Sequence, residues 1–562
     1  MTQHMHRIFK GLSASVKRAS RLAPHQSLHT QHTECVPRLW ESNSALDPYH
    51  YTSGRWLHRE EEHQRARYIK FDLNALCRKA IEAYPGASRV VNYEKKEGGF
   101  NRVFILHFDN GAKVIARVPF RLAGPLALVT HSEVATIAYV RSRTSLPVPE
   151  ILDWSDDPEN DIGTPYIIMK HASGVPLQER WPTMNTEQKI RCVERLSRYL
   201  RELAALQFPA FGSLYFSESL VSGKGAIDIG SSFCIGQHCG TDYWPSIPTE
   251  PRYYERRGPN RGPWKDLREY STGLLDAGYS RLPPSPAKDE FEGTVDEHLR
   301  LLKLSEEILD VLLQQEDIQK VAEPTLLHID FHKRNIYVSD DDPRVVTAII
   351  DWQSACIEPM FCYAHETPDF VEAPADIQEY LRQFLGPSSE DVPDDPAREK
   401  AKQKPEKEID LCQKTYTTIL RALIPNLWSA MQMDQRYVRL FRYCNSSWRD
   451  CAVALRQEIL ELSEGWQDLG LPGTSPYQPS EEALAAHRNA WEDYETVQKL
   501  RLFMFKMAGS NSDGWVPNEH WKEAQVVCRD AFGLWMEAMR EENDPNMTEE
   551  KARRLWPFEA IQ

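Results

Sequence analysis

Two short β-forming runs, Asn335–Val338 and Val345–Ile350, flank a polar turn containing Pro343 within residues 326–352, LLHIDFHKRNIYVSDDDPRVVTAIIDW. Apolar runs of this length, bounded by turn residues, read as buried strands. Folding them as a hairpin sets Asn335, at the start of the first, close to Asp351, at the end of the second. An amide oxygen beside a carboxylate is a hard-ligand pair suited to Mg²⁺, which takes few protein ligands and shares its other positions with phosphates and water.

Asp330 lies five residues before Asn335, in a loop led by His328. The order H-x-D-x-x-x-x-N, followed by a strand-terminal Asp, is a phosphotransferase arrangement. The first Asp orients or deprotonates an acceptor hydroxyl, while Asn and the second Asp hold metal on nucleotide phosphates. Each piece alone has a plainer reading, since a strand-end Asp caps turns and a His such as His328 serves buried hydrogen bonds. His328, Asp330 and His332 also project together from an extended segment, which leaves zinc as a third reading. The N-terminal half supplies complementary parts. Gly98 and Gly99, followed by Phe100 and Asn101, precede a strand, where glycines let backbone amides approach phosphates or simply turn the chain. Alternation puts Lys113, Ile115 and Arg117 on one strand face, with Arg117 within reach of phosphates and Ile115 near a base. Glu133 either pairs with Arg117 or closes a capping box begun by Thr130.

Charge is unevenly spread. The chain holds 67 Lys+Arg and 82 Asp+Glu, a net of −15. Residues 1–40 carry six basic side chains and one acid, so the remainder carries 61 basic and 81 acidic residues, a net near −20. Arg7, Lys10, Lys17, Arg18 and Arg21 precede any acid, and Ile8, Phe9, Leu12 and Val16 recur at helical spacing. That basic, Ser-rich, amphipathic start has the composition of a mitochondrial transit peptide; a disordered basic tail is the alternative. The acidic remainder argues against sequence-independent nucleic-acid binding and is compatible with a cationic acceptor. The 11 cysteines are odd in number and include no C-x-x-C pair, which argues against a disulfide-stapled secreted module. No apolar run approaches 18 residues, so no transmembrane segment is expected.

Residues 71–84 carry helical apolar spacing and end before Pro85-Gly86. Val103–Phe108 and Lys113–Val118, joined by Asp109-Asn110-Gly111-Ala112, predict a hairpin. Thr130 opens a predicted helix, Thr164–Met169 reads as a buried strand, and Thr186–Leu206 as a long helix. Residues 218–290, rich in Gly, Pro, Tyr and Trp, read as a surface insertion. Its aromatics Tyr243, Trp244, Tyr253 and Trp264 suit either an acceptor site or packing against the lobe. Gly386–Glu408, where charge switches from acid to base, reads as a solvated loop and helix start. The remainder to Gln562 reads as helical.

These motifs resemble the aminoglycoside phosphotransferase/choline kinase-like superfamily, and within it the fungal altered inheritance of mitochondria kinase-like branch. The resemblance runs from DPYHYTSGRW (47–56) through YEKKEGGFNRVF (93–104), VIARVPF (114–120), SEVATIAYV (132–140), IGTPYIIMKHASGVPL (162–177) and RGPW (261–264) to HIDFHKRNIYV (328–338) and IIDWQSA (349–355). It implies an α+β, protein-kinase-like bilobal fold with a small antiparallel-sheet N-lobe and a large, mainly helical C-lobe bearing a helical C-terminal extension. The implied order is a transit peptide at 1–40, an extension at 41–88, the N-lobe and hinge at 89–172, and the C-lobe at 173–385. An insertion falls at about 218–290, the catalytic loop at 326–352, and a charged loop with further C-lobe helices at 386–562. The resemblance further implies Asp330 as catalytic base, with His328, Arg117 and Glu133 in the same machinery, and Asn335 and Asp351 as metal ligands. Gly98–Asn101 becomes the nucleotide loop, with Met169, Lys170 and His171 in the hinge whose backbone meets adenine. Most of the superfamily carries Lys on the third strand where this chain and its branch carry Arg117. The expected activity is ATP- and Mg²⁺-dependent transfer of a phosphoryl group to a hydroxyl of a small molecule in mitochondria. A non-catalytic nucleotide-binding scaffold is the alternative.

Overall fold

The computed structural model describes residues 47–218, 225–245, 250–284, 288–289, 293–364, 367–372, 396–542 and 547–558. The basic leader at 1–40 and the acidic part of 386–408 lie outside the described residues; the helix Pro396–Leu423 begins within the latter span. The chain divides into two units, one of residues 70–372 with 403–484, the other of 1–69, 373–402 and 485–562. Among the described residues no helix is long and apolar enough to cross a membrane.

The larger unit is α+β. Its first part is a five-stranded antiparallel sheet in the order Val90–Glu97, Asn101–Phe108, Lys113–Pro119, Tyr166–Lys170 and Ile151–Ser155. The expected hairpin is its centre, with the first strand starting two residues earlier, at Asn101. The turn between them closes through Asn110 Oδ1, which accepts from the Ala112 amide at 3.0 Å, and through Gly111 at φ 81°. The helix Leu73–Ala83 precedes the sheet, capped by Asp72, whose carboxylate accepts from the Ala75 amide.

The capping box expected at Thr130 does not form. The helix starts four residues earlier, at Leu126, with Pro125 before its first turn, and ends at Arg143. Leu128 and Val129 are buried, so helical turns begin where apolar side chains already meet the core. Thr130, 2% exposed, lies inside the helix, and Glu133 sits two turns from its start. That placement leaves Glu133 free of end-capping duty.

Beyond the sheet, the strand pair Ile336–Val338 and Val346–Ile349 forms the expected hairpin, and Val175–Pro176 adds a third strand at its edge. Helices Thr186–Ala204, Leu267–Arg281 and Val295–Leu312, with Pro425–Gln432, Arg436–Tyr443 and Ala452–Glu464, surround one core containing Leu196, Leu274, Leu302, Ile336, Trp352 and Phe441. Residues 218–290 are not a surface insertion where described. Strand Phe233–Gly236 lies between Ser213–Phe216 and Ile227–Gly230 and pairs antiparallel with both. Phe233, Ile235, Tyr243, Trp264, Leu267 and Tyr270 belong to the core, and Phe211 and Trp264 exchange backbone hydrogen bonds at 2.8 and 3.0 Å. The Gly and Pro residues punctuate this region while its aromatics face inward; Tyr243 and Trp264 are therefore packing residues.

The smaller unit joins the two ends of the described chain. Gly54–Trp56 pairs antiparallel with Trp515–Pro517, and the helix Trp521–Glu542 contributes the fully buried Trp535. Arg67 lies over the Trp56 ring at 4.3 Å. The sequence reading assigns all of 386–562 to the C-lobe; here the part from 485 groups with residues 47–69 instead.

Candidate active site

The hairpin sets the acidic half of the site. Ile350 N–H donates to the Asn335 carbonyl at 2.9 Å, so Asn335 and Asp351 stand at adjoining ends of two paired strands. Asp351 then leaves the strand in left-handed backbone, φ 68°, a conformation Asp tolerates better than bulky residues. Asn335 Nδ2 donates to Asp330 Oδ2 at 2.7 Å and to the Asp330 carbonyl at 3.0 Å. One carboxylate and one amide are thereby fixed in a single geometry.

His328 is 5% exposed and uses both ring nitrogens within the protein. Nε2 donates to the Ile350 carbonyl at 2.9 Å, and Nδ1 accepts from the Asp330 amide at 3.2 Å. Its ring meets Trp352 edge-on at 4.7 Å. Burial lowers the affinity of His328 for a second proton, in agreement with that hydrogen-bond pattern. A zinc site on His328, Asp330 and His332 is incompatible with it, because neither His328 nitrogen has a lone pair to spare. No cluster of three or more metal-ligating side chains occurs among the described residues. His328 positions the loop carrying Asp330.

Arg117, on the third strand, ties the basic half to this loop. Its Nη1 donates to Glu133, and its Nη2 to Asp351 Oδ1 at 2.7 Å and Gln353 Oε1 at 2.8 Å. Burial opposes the Arg117 charge, but Glu133 and Asp351 outweigh it and hold the guanidinium proton more tightly than usual. Burial pushes the Glu133 carboxyl up to about 7, so its charge near neutrality depends on Arg117. Of the two roles left open for Glu133, the ion pair is the one formed.

Gly98 N–H donates to the Asn101 carbonyl at 2.9 Å, closing the turn between the first two strands. A Cβ at Gly99 would meet nothing within 4 Å, and Phe100 is half exposed. The turn faces open space. Asn101 is buried, and its Nδ2 donates to Gln353. Ile115 and Met169 are direct cross-strand neighbours, packed with Val134 and Ile167. Lys170 Nζ is 2.6 Å from Glu150, and His171 Nδ1 donates to the Ala172 carbonyl at 2.7 Å. Both hinge side chains are thus engaged locally.

Three participants escaped the sequence reading. Gln353 accepts from both Asn101 and Arg117, so one buried amide oxygen joins the Gly98–Asn101 turn to the loop after Asp351. Arg334 Nη2 donates to Asp330 Oδ1 at 2.6 Å. Asp369 accepts from the Lys333 amide at 2.8 Å and donates its own amide to His332 Nδ1 at 3.2 Å. Arg334 had a signal, an i,i+4 spacing from Asp330; the other two had none.

The profile of the phosphotransferase enzyme family matches residues 96–362, a span that contains every residue of this constellation except Asp369. That span of the larger unit is similar to the phosphotransferase enzyme family. A subtelomeric hrmA-associated cluster protein of Aspergillus fumigatus is 32% identical to the chain over 302 residues. That match covers 48% of this chain and 58% of the relative, so the chain spans somewhat more than half the relative's length. Altered inheritance of mitochondria protein 9 of Yarrowia lipolytica is 22% identical over 524 residues, 84% of this chain and 85% of that one. Proteins of the same name in Kluyveromyces lactis and Saccharomyces cerevisiae also match, and the mitochondrial location expected from the leader agrees with these names. Among solved structures, an aminoglycoside-3'-phosphotransferase of type VIII aligns with 67% of this chain and 98% of its own at 15% identity and TM-score 0.31, a likeness too loose to bear on the site. Within the matched span, Asp330, Asn335, Asp351, Arg117 and Glu133 belong to one connected network.

Proposed function

We propose that the protein is an ATP- and Mg²⁺-dependent phosphotransferase acting on a hydroxyl of a small molecule in mitochondria. The reading rests on how Asn335 is used. Among the described residues both of its side-chain hydrogen bonds leave through Nδ2, toward Asp330, which turns Oδ1 the other way. An amide oxygen beside the 44%-exposed Asp351 carboxylate is the hard donor set a magnesium ion takes. Asn335 and Asp351 would hold Mg²⁺ there, and its charge would stabilise negative charge on nucleotide phosphates.

The chain's own residues supply positioning. Asp330, held by Asn335 and Arg334, would accept the proton of the acceptor hydroxyl as its oxygen attacks. Such a base contributes roughly 10²–10⁴-fold. Arg117, neutralised in part by Glu133, would carry positive charge to the phosphates, and the open turn at Gly98–Asn101 would bring backbone amides to them. Ile115 and Met169, paired across two strands, would offer an apolar wall to the base, with hinge backbone at 169–172 beside it.

Turnover of ATP by the purified chain, measured against a panel of hydroxyl metabolites, tests this. Asp330→Asn should lower transfer at least about 100-fold; unchanged transfer would sink the role of Asp330.

The Arg334–Asp330 and Arg117–Asp351 pairs favour a second reading, in which the same site binds nucleotide without transferring phosphate. Tight nucleotide binding with no phosphate released to water or to any acceptor would support it.

A further inference from the structure

Away from the Asp330 loop, guanidinium groups converge at the C-terminal end of the helix Leu267–Arg281. Tyr253 N–H donates to the Ser280 carbonyl at 2.7 Å, which lays the segment containing Arg252 against the end of that helix. Arg281 is 4% exposed. Its Nη2 donates to Asp242 at 3.1 Å, while Nε and Nη1 are buried without an acceptor. Arg252 donates through Nη2 to the Thr241, Asp242 and Trp244 carbonyls at 3.1–3.3 Å and through Nε to Trp244. Its Nη1 is likewise buried and unsatisfied.

Burial, followed by the charge of Arg281, pushes Arg252 down to about 10, and burial also lowers Arg281. Nearby carboxylates do not balance the donors. Asp242 lies between Arg281 and Arg449, whose Nη1 is 3.8 Å away. Asp450 is occupied by Arg449 at 3.1 Å and by Ser446 Oγ at 2.6 Å. Glu250 is near enough to act on Arg252 and Arg281 through its charge, but makes no ion pair with either among the described residues. A buried N–H without an acceptor is destabilising, more so on a charged group. Three such nitrogens on two neighbouring guanidiniums call for an acceptor with several oxygens.

We propose that Arg252, Arg281 and Arg449 form a second binding site, for the phosphate or carboxylate group of a small molecule. Guanidinium groups match oxyanions by paired, charge-assisted hydrogen bonds. The way in lies past Asp242 and Arg449, whose side chains are 43% and 48% exposed. None of these residues shares a hydrogen bond or ion pair with Asp330, Asn335, Asp351 or Arg117 among the described residues, so the site stands or falls independently of the phosphotransferase reading.

The test is titration of the purified full chain with inorganic phosphate and, separately, citrate, at constant ionic strength set by chloride, followed by calorimetry and thermal unfolding. At least one oxyanion should bind saturably and raise Tm by several degrees; which one does separates phosphate from carboxylate recognition. Arg281→Gln and Arg252→Gln should each weaken that binding at least tenfold and leave Mg²⁺–ATP affinity unchanged. Should either fail to fold, Arg449→Gln, at the exposed rim, should still weaken binding at least threefold. Absence of saturable binding by both anions, or equal affinity in all three variants, would overturn the proposal. Ordered water alone on Arg281 Nε and Nη1 in crystals grown with phosphate would do the same.

Discussion

Arg117 on the third strand donates to Asp351 across 2.7 Å, linking the antiparallel sheet to the end of the Ile336–Ile349 hairpin, while its other terminal nitrogen holds Glu133. One guanidinium thus serves two carboxylates and the Gln353 amide. A Lys ammonium, a single point charge on a flexible stem, lacks the planar fork that serves them together.

Replacing Arg117 with Met should therefore be costly mainly through what it leaves behind. Glu133, 3% exposed, would be a buried carboxylate without its cation, a loss of about 3–5 kcal/mol. The double variant Arg117→Met/Glu133→Leu should be more stable than Arg117→Met alone, because the stranded charge goes too. Urea unfolding of the two variants and the parent measures the difference.

Gln353→Leu should uncouple the Gly98–Asn101 turn from the loop after Asp351. Asn101 and Arg117 would both lose an acceptor in a buried place, about 1–3 kcal/mol. Nucleotide affinity, read by calorimetry, should fall several-fold while the acceptor's KM changes little.

Gly174 follows the hinge at φ 84°, and a Cβ there would overlap the Val338 carbonyl. The next residue, Val175, pairs with Val338, so the backbones have no room to separate. Gly174→Ala should destabilise the larger unit by more than about 2 kcal/mol, from left-handed backbone and overpacking combined. Thermal unfolding checks this.

His328 predicts a specific pH response. Burial lowers its folded-state pKa below the ordinary 6.5, so the unfolded chain takes up the proton first. The stability it contributes is intact above 6.5 and is lost as pH falls below it, at up to about 1.4 kcal/mol per pH unit. The slope levels off once the folded-state pKa is passed. In His328→Gln this part of the slope should vanish, which chemical unfolding across pH 5 to 7.5 would reveal.

Much of this site was legible because local pattern and tertiary position coincide. Asn335 and Asp351 flank two short apolar runs with Pro343 between, so the hairpin and the closeness of these two residues follow from spacing alone. Gln353 carries no such signal, since its partner Asn101 is 252 residues away and a single amide has no period. The strand Val90–Glu97 is also hidden. It is an edge strand with only Tyr93 buried, and its charged VVNYEKKE face reads as a loop. At Thr130 a local rule gave way to burial, because the apolar residues at 128–129 extend the helix backwards. Residues 225–284 mislead through composition, since Gly and Pro suggest a surface while the aromatics between them fill the core. The three-residue pairing of Gly54–Trp56 with Trp515–Pro517 is too short and too distant in sequence to announce itself.

The proposed phosphoryl transfer requires Asn335 and Asp351 to act as a magnesium site for nucleotide phosphates. Calorimetric titration of the purified chain with ATP, with and without Mg²⁺, tests it most directly when repeated on Asp351→Asn. Wild-type protein should bind ATP at least tenfold more tightly with Mg²⁺, and the variant should lose that enhancement. Equal Mg²⁺ dependence in both proteins, or no ATP binding by the wild type, would contradict it.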